Sequence, residues 1–454
     1  MKIVLTVHQF LPDHASGTEL LTLHTAQELQ RRGHDVRIFT GYPAKTHLAD
    51  DDRFDSYEYA GLPVDRFHHA AVPMGGQTDL LELEYRNDLF ARHFAQYLAR
   101  HKPDIVHFFH LYRLSASAIA AAVHARVPTV FTPTDFWTIC PLIELRLPGG
   151  ELCRGPGLMS QNCVQHLSAV NNVDLGPGFT RRPPLFPTLA TAARIWAIKH
   201  SYAGRNTHYG NFVRTVAARH PYIRESMNHV DRILVPTKIM ETLLAENGID
   251  RARLRHVRYG IELQNIQRHP ETKGTTPALR VGFIGTLAEH KGAHLLIDAV
   301  RALPPSVPID LKIFGNPHEF PAYVARLHGL AADDPRIHFL GTFPNTQIGE
   351  VFSDLDVLVV PSIWYENTPL VIYSALAAAV PVIATNLGGM SEAITPEKTG
   401  LLFAKGDSAQ LAAHLTRLAA DRPFLRTLAA NTPTPKSIPQ YVTELEATYA
   451  EIRP

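Results

Sequence analysis

The chain has 454 residues, 45% of them hydrophobic, which is enough for two α/β domains that each bury a core. Its 44 Lys and Arg residues balance 43 Asp and Glu residues, so net charge gives no support for nucleic acid as a partner. Three cysteines exclude a disulfide framework and favour a reducing cytoplasm. The first residues are too short an apolar run for a signal sequence, and no run reaches the roughly 18 apolar residues of a membrane span.

The N-terminal segment predicts a β-α-β unit. Residues 3–7 form an apolar run of strand length, apolar residues follow at helical spacing from Leu20 to Leu29, and residues 35–40 alternate as a second strand. Gly17 lies where the intervening loop meets the helix. A glycine there lets a ligand approach the backbone closely, although it could equally ease the turn.

Two further predicted strands end in polar side chains. His107 and His110 close PDIVHFFH, and Thr134 and Asp135 close VPTVFTPTD. Ligands of parallel α/β sheets bind at the carboxyl ends of the strands, and a carboxylate there is rarely without a role or a partner. Asp135 is therefore a candidate site residue, whereas the two histidines could serve the site or pack in the core.

Thiol and imidazole side chains come close together in sequence after the second of these strands. The set is Cys140, Cys153, Cys163 and His166. Ligands at these separations could hold one structural zinc. The alternative is three buried, unreactive thiols.

Residues 175–224 contain no Asp or Glu and alternate basic with aromatic side chains. The basic residues are Arg181, Arg182, Arg194, Lys199, Arg205, Arg214, Arg219 and Arg224, and the aromatic ones are Phe179, Phe186, Trp196, Tyr202, Tyr209, Phe212 and Tyr222. Such a surface suits an anionic membrane, where each nearby cation contributes about 1 kcal/mol, or an acidic acceptor. The alternative is an ordinary basic helix pair packed on the domain.

A polar segment with linker composition, 263–278, separates two halves of the chain. We predict an N-terminal domain at 1–262 that contains the basic segment, a C-terminal domain at 279–430, and a C-terminal helix within 431–454 that packs back on the N-terminal domain. Strand LRVGFIG and loop TLAEHKG place Gly285 and Lys291 at a turn where a lysine suits a diphosphate. Neither a G-x-G-x-x-G nor a P-loop pattern is present, so a nicotinamide fingerprint and a Walker NTPase are unsupported.

The stretch VLVVPSIWYENTPLVIYSALAAAVPVIATNLGGMSE, from Val357 to Glu392, carries the second half of the site. It predicts a strand, a polar loop with Glu366, a helix that begins near Pro369, a second strand and a glycine pair. A helix N-terminus offers unpaired N–H groups and partial positive charge to a phosphate. Two such turns at one sheet edge predict a nucleotide site.

These motifs resemble the retaining, GT-B-fold glycosyltransferases of family 4, also called glycosyl transferases group 1. The resemblance rests on GFIGTLAEHKG, FLGTF, DVLVVPSIWYENTPLVI and PVIATNLGGMSE, in that order. It implies an α/β chain with two Rossmann-like parallel-sheet domains facing a central cleft. It also implies a glycosyltransferase enzyme that moves a sugar from a nucleotide-diphosphate sugar to a lipid-linked or polysaccharide acceptor in cell-surface glycan synthesis. Such an enzyme would be cytoplasmic or peripheral at the inner face of the membrane, with no cofactor required for catalysis.

The resemblance also assigns residue roles. Lys291 would neutralise the β-phosphate, and Glu366 would contact donor-sugar hydroxyls as the first glutamate of an E-x7-E motif. In the reaction we infer from this, the acceptor proton could pass to the leaving phosphate, to Asp135 or to His110. The donor site would further include Gly17, Gly285, Thr286, Asn367, Thr368, Pro369, Leu370, Ser374, Gly388, Gly389 and Glu392.

Three positions depart from the family pattern. Ser374 stands where a second glutamate usually holds the ribose, at an expected loss of about 1–3 kcal/mol of nucleotide binding. Thr134 replaces a histidine and Thr286 replaces an arginine. Two alternatives therefore stay open: a sugar-nucleotide-binding partner subunit with little catalysis, and a sugar-nucleotide epimerase on the same fold.

Overall fold

The structure is a computed structural model that describes residues 1–173, 187–200, 208–332 and 334–453. The chain divides into two compact units. The first comprises Met1–Pro236, Met240–Val257 and Val442–Pro454, and the second comprises Thr237–Ile239 and Arg258–Tyr441. Most of the C-terminal helix thus belongs to the first unit.

The strands and helices are as follows, in chain order. The strands are β1 (Lys2–Val7), β2 (Asp35–Pro43), β3 (Phe54–Tyr59), β4 (Leu62–His69), β5 (Ile105–Phe108), β6 (Thr129–Phe131), β7 (Arg232–Val235), β8 (Leu254–His256), β9 (Leu279–Ile284), β10 (Ile309–Phe314), β11 (Ile337–Gly341), β12 (Val357–Val360), β13 (Val382–Thr385) and β14 (Gly400–Phe403). The helices are α1 (Gly17–Arg31), α2 (Leu80–Tyr85), α3 (Asp88–His101), α4 (Ser117–His124), α5 (Gln161–Val170), α6 (Pro187–His200), α7 (His208–Met227), α8 (Lys238–Glu246), α9 (Ala293–Arg301), α10 (Pro321–Ala331), α11 (Ile348–Ser353), α12 (Leu370–Ala377), α13 (Gly388–Ala393), α14 (Ser408–Ala420), α15 (Arg422–Asn431) and α16 (Ile438–Ile452).

The described residues of the first unit form an eight-stranded sheet in the order β3-β4-β2-β1-β5-β6-β7-β8. Neighbouring strands are parallel except for the hairpin β3–β4. Strands β1 and β5 are short, almost wholly buried apolar runs, as expected for parallel strands covered on both faces. The chain leaves β1 towards β2 on one side and returns to β5 on the other, so the topological switch point lies between β1 and β5.

The second unit repeats this architecture with six described strands in the order β11-β10-β9-β12-β13-β14, all parallel. Strands β9, β12 and β13 are apolar and largely buried between helices. In this sheet the chain order reverses between β9 and β12. The loops after these two strands, which carry Lys291 and Glu366, therefore lie at the edge where ligands bind in such sheets.

The basic segment contains both buried and exposed side chains in its described part. Helices α5, α6 and α7 share an apolar core, whose buried members are Val164, Leu167, Ile195, Phe212, Val213, Val216 and Ala217. Arg219, predicted as part of a basic surface, is instead buried, because its guanidinium bonds Glu84 at 2.8 Å and the Trp137 carbonyl at 2.7 Å. Leu189 and Trp196 on α6 are 73% and 56% exposed.

Several residues of this segment lie outside the described residues, namely Phe179, Arg181, Arg182, Phe186, Tyr202 and Arg205, as does the side chain of Lys199. Among the helices that the structure describes, none is long and apolar enough to cross a membrane.

Candidate functional site

Lys291 is held at the switch point of the second sheet by a backbone contact. After β9 the chain forms a short 3-10 turn, Glu289–Lys291, and Gly292 then adopts φ +75° before α9 begins. A Cβ on Gly292 would lie 2.0 Å from the Pro361 carbonyl oxygen, at the end of β12. Only glycine fits there, so the turn that carries Lys291 packs directly on the chain that leads to Glu366.

Glu366 and Lys291 form an ion pair. Lys291 Nζ lies 2.8 Å from Glu366 Oε1, and the same oxygen accepts hydrogen bonds from Ser362 Oγ at 2.7 Å and Trp364 Nε1 at 2.8 Å. The ammonium also lies 4.9 Å from the centroid of the Trp364 ring. Glu366 is only 7% exposed, whereas the Lys291 side chain is 25% exposed, so the cation has the more accessible end of the pair.

The environment of Glu366 keeps its carboxylate ionised. Burial alone would raise the pKa of Glu366, but the charge of Lys291 and the hydrogen bonds from Lys291, Ser362 and Trp364 outweigh burial and hold the pKa below its ordinary value. The site therefore presents a fixed carboxylate beside an ammonium, a pair suited to a ligand with both hydroxyl and phosphate groups.

In the loop after Glu366, one polar side chain is hydrogen-bonded to the surrounding protein and the next one is not. Asn367 is buried, and its side chain bonds Tyr259 and Thr237 at 3.1 Å each. Thr368 Oγ1 is buried and has no hydrogen-bond partner among the described residues. Ser374 lies in α12 and is partly exposed, while Pro369 and Leu370 begin that helix.

Packing requires glycine at two of the three positions predicted for the donor site in the second unit. A Cβ on Gly389 would lie 1.7 Å from the Asn367 carbonyl oxygen, and Gly388 has φ +56°, so both positions require glycine to pack against the loop that carries Glu366. At Gly285 a Cβ would meet only the Phe283 ring, at 3.8 Å. Packing does not dictate that glycine, and both Gly285 and the Thr286 that follows are partly exposed.

Glu392 has a structural role in this arrangement. Its two carboxylate oxygens accept the backbone N–H groups of Lys238 and Ile239, both at 2.8 Å. These bonds lie within the second unit. They occupy both oxygens of the carboxylate that the family resemblance assigns to the donor site.

In the first unit, Asp135 and His110 form a second acid–base pair. His110 Nε2 and Asp135 Oδ2 are 2.6 Å apart, and the backbone N–H of Trp137 donates to the other carboxylate oxygen of Asp135 at 2.8 Å. The Tyr112 N–H donates to His110 Nδ1 at 3.0 Å, so Nδ1 cannot carry a proton and the proton lies on Nε2. Asp135, with its side chain 21% exposed, is thus the group able to receive a proton, and His110 orients it.

His107 and Gly17 have simpler surroundings. His107 is fully buried between Tyr449 Oη and Thr132 Oγ1, each 2.7 Å from one ring nitrogen. Of the two roles considered for this histidine, its surroundings match that of a residue packed in the core. Burial lowers the pKa of His107 to about 3. Gly17 is the exposed first residue of α1.

The predicted zinc site is not formed. Cys140, Cys153, Cys163 and His166 are all described, yet within the described ranges no group of three or more His, Cys, Asp or Glu side chains is placed to hold a metal ion. The cysteines are free thiols, and burial raises the pKa of Cys140 and raises that of Cys163 to about 12. Short sequence separation did not bring the four ligands to one centre.

Sequence reasoning missed three partners in these sites. Ser362 and Trp364 donate to Glu366, and Glu19 lies buried beside His8 behind the Asp135–His110 pair. The loop letters SIWYEN did carry a signal for the first two, because a serine and an indole within four residues of a glutamate can reach it. Glu19 carried none, since an acidic residue in the first turn of a helix is usually solvated.

Family models match both halves of the chain. The model described as "Glycosyl transferases group 1" matches residues 278–421, and "Glycosyl transferase 4-like domain" matches residues 16–161. Together they cover more than half of the chain. The first match contains Lys291 and Glu366, and the second contains Gly17, His110 and Asp135.

Curated relatives match over part of their length. D-inositol 3-phosphate glycosyltransferase of Corynebacterium urealyticum is 28% identical over 251 residues, which is 51% of this chain and 57% of that protein. Lipopolysaccharide core biosynthesis mannosyltransferase LpsB of Rhizobium meliloti is 35% identical over 35% of this chain and 46% of that protein. The chain thus spans about half the length of these relatives.

Solved structures match over the whole chain. Anabaena HepE in complex with UDP has a TM-score of 0.65 at 17% identity, covering 99% of this chain and 100% of that one. Sucrose-phosphate synthase from Thermosynechococcus elongatus has a TM-score of 0.62 at 18% identity, covering 99% and 96%. With the two parallel sheets and the two family models, these matches show that the chain belongs to the family 4 glycosyltransferases and has the GT-B fold.

Proposed function

We propose that this chain is a retaining glycosyltransferase that moves a sugar from a nucleoside-diphosphate sugar to a lipid-linked or polysaccharide acceptor. The observation that carries the proposal is the Lys291–Glu366 pair at the switch point of the second sheet. Relatives named as glycosyltransferases, and a neighbour solved with UDP bound, support the same reaction class.

The chemistry mainly requires stabilisation of a leaving diphosphate. As the bond from the anomeric carbon to the phosphate oxygen breaks, negative charge develops on the diphosphate, and the accessible Lys291 ammonium would stabilise it. Glu366, held ionised by its three donors, would accept hydrogen bonds from sugar hydroxyls. The acceptor oxygen forms the new bond to the anomeric carbon, and its proton would pass to Asp135 or to the leaving phosphate.

Exposed apolar side chains on α6 support a lipid-linked acceptor. Leu189 and Trp196 project from a segment that lacks acidic residues, and amphipathic aromatic and basic side chains of this kind bind anionic headgroups. We infer a cytoplasmic protein that associates peripherally with the membrane. The buried Arg219 shows that part of the segment serves packing instead.

A donor panel tests the proposal. Purified protein is incubated with UDP-, GDP-, ADP- and dTDP-sugars, with and without a membrane extract as the acceptor source, and released nucleotide and glycosylated product are measured. We expect one nucleotide class to be consumed and a product to form that retains the anomeric configuration. Lys398→Ala, an exposed lysine of the same unit, is the matched control for Lys291→Ala.

The panel also separates the alternatives. Conversion of the donor sugar without any acceptor would indicate an epimerase. Nucleotide binding without turnover would indicate the second alternative, a sugar-nucleotide-binding partner subunit with little catalysis, which the serine at position 374 leaves open. Activity of Lys291→Ala equal to that of Lys398→Ala would contradict the proposed role of the ion pair.

A further inference from the structure

A buried carboxylate without a hydrogen-bond partner lies in the first unit. Glu19, in the first turn of α1, is 0% exposed, and neither of its oxygens has a hydrogen-bond partner among the described residues. The nearest cationic candidate is His8, whose Nε2 lies 3.5 Å from Glu19 Oε1. His8 Nδ1 is likewise buried and unpartnered among those residues. Burying polar atoms without hydrogen bonds destabilises a fold, so such an arrangement needs a functional explanation.

The pair lies at the switch point of the first sheet. His8 directly follows β1, and His110 follows β5, the strand on the other side of the switch. Their ring centroids are 4.3 Å apart at an interplanar angle of 39°. His110 in turn bonds Asp135 at 2.6 Å. Glu19, His8, His110 and Asp135 thus form a continuous series of two acid–imidazole pairs with their rings in contact.

The two pairs differ in accessibility. Asp135 is the partly exposed end, whereas Glu19 is fully enclosed. A substrate hydroxyl can therefore reach Asp135, and Glu19 can act only through His8 and His110. When Asp135 takes a proton, the Asp135–His110 pair becomes more positive by one charge, and an ionised Glu19 nearby would stabilise that state.

The surroundings contain further titratable groups. Those that face His8 and Glu19 from neighbouring elements are His14, His69, His110 and Arg113, together with the Gln9 amide. His8, His69 and Arg113 meet around Gly41, where an added Cβ would lie 2.9 Å from the His8 carbonyl oxygen and 3.0 Å from Arg113 Cβ. Glu19 is the carboxylate among these groups, and burial raises its pKa while it lowers that of His8.

We propose that Glu19 and His8 are positioning residues for the Asp135–His110 pair and stabilise the charge that develops when Asp135 accepts the acceptor proton. The inference rests on the proposed function for its catalytic consequence. Its structural consequence, a coupling between Glu19 and the His110 imidazole, is independent of the proposed function.

The test compares Glu19→Gln with Glu28→Gln, a carboxylate buried on the same helix but bonded to Arg31 at 2.7 Å and Arg32 at 2.8 Å. Imidazole nitrogen NMR titrations of the full chain report the protonation and tautomer of His110 in each variant. We expect Glu19→Gln to change the ring-nitrogen chemical shifts of His110 and Glu28→Gln to leave them unchanged. Thermal unfolding should show Glu19→Gln to be no less stable than the wild type, because a neutral amide costs less to bury than a carboxylate at this fully enclosed position.

Kinetics then test the catalytic consequence with the donor that the wild type consumes. Glu19→Gln should lower kcat about tenfold with little change in donor KM, and should move the acid limb of the kcat–pH profile to lower pH. Unchanged ring-nitrogen chemical shifts of His110 overturn the proposal whether or not the chain transfers sugar. An unchanged kcat in an active wild type overturns the catalytic part. Absence of donor turnover in the wild type would instead count against the proposed function.

Discussion

Replacing Lys291 by methionine tests the ion pair most directly. The change keeps the length of the side chain and removes its charge. Glu366, 7% exposed, would keep the hydrogen bonds from Ser362 and Trp364 but lose its cation. Loss of a charged partner costs about 1–3 kcal/mol of folding stability, and the 25% exposure of Lys291 places the loss at the lower end of that range.

The expected loss of activity is larger than the loss of stability. Removing one group that stabilises a developing anion costs about 10²–10³ in kcat, or roughly 2.7–4 kcal/mol. Adding Glu366→Gln to Lys291→Met should recover stability, because a neutral amide no longer needs the ammonium, while activity stays low. Stability is measured by urea unfolding and kcat with the consumed donor. A kcat for Lys291→Met close to that of a Lys398→Met control would refute the reasoning.

Three further predictions follow from the described residues. Ser374→Glu should tighten UDP or another cognate nucleotide by about 1–3 kcal/mol in calorimetry, and equal or weaker binding would contradict a ribose contact at that position. Trp196→Ala should reduce sedimentation with phosphatidylglycerol vesicles but not with neutral ones, relative to an exposed Phe320→Ala control from the second unit. Because the pKa of His107 is lowered from 6.5 to about 3, the unfolded state binds its proton more readily, so the unfolding free energy should fall as pH drops through that window, and less steeply in His107→Gln.

Local sequence signals predicted the strand ends that carry the sites. The apolar runs before Gly285 and before Glu366, and the histidine and aspartate after two N-terminal strands, indicated the α/β class and the edge of each sheet. These features depend on neighbours in sequence, where strand length and apolar patterning are informative.

Contacts between distant residues could not be read in the same way. The Lys291–Glu366 pair joins residues 75 positions apart. Arg219 looked like a surface cation because no acidic residue lies within four positions of it in sequence, yet Glu84 from α2 lies 135 positions away and pairs with it. The cysteines and His166 illustrate the converse, since closeness in sequence does not fix where four side chains point, and within the described ranges they form no metal-binding group.

The backbone contact at Gly292 has a consequence for how this site can diversify. Because the Lys291 turn packs on the chain after β12 through main-chain atoms, exchange of loop side chains other than Trp364 and Glu366, which contact the Lys291 ammonium, leaves the backbone of that turn in place. Substitutions elsewhere in the loop 362–368 can therefore change the shape of the site without relocating the lysine. Any side chain at position 292, in contrast, would shift both ends of the site at once.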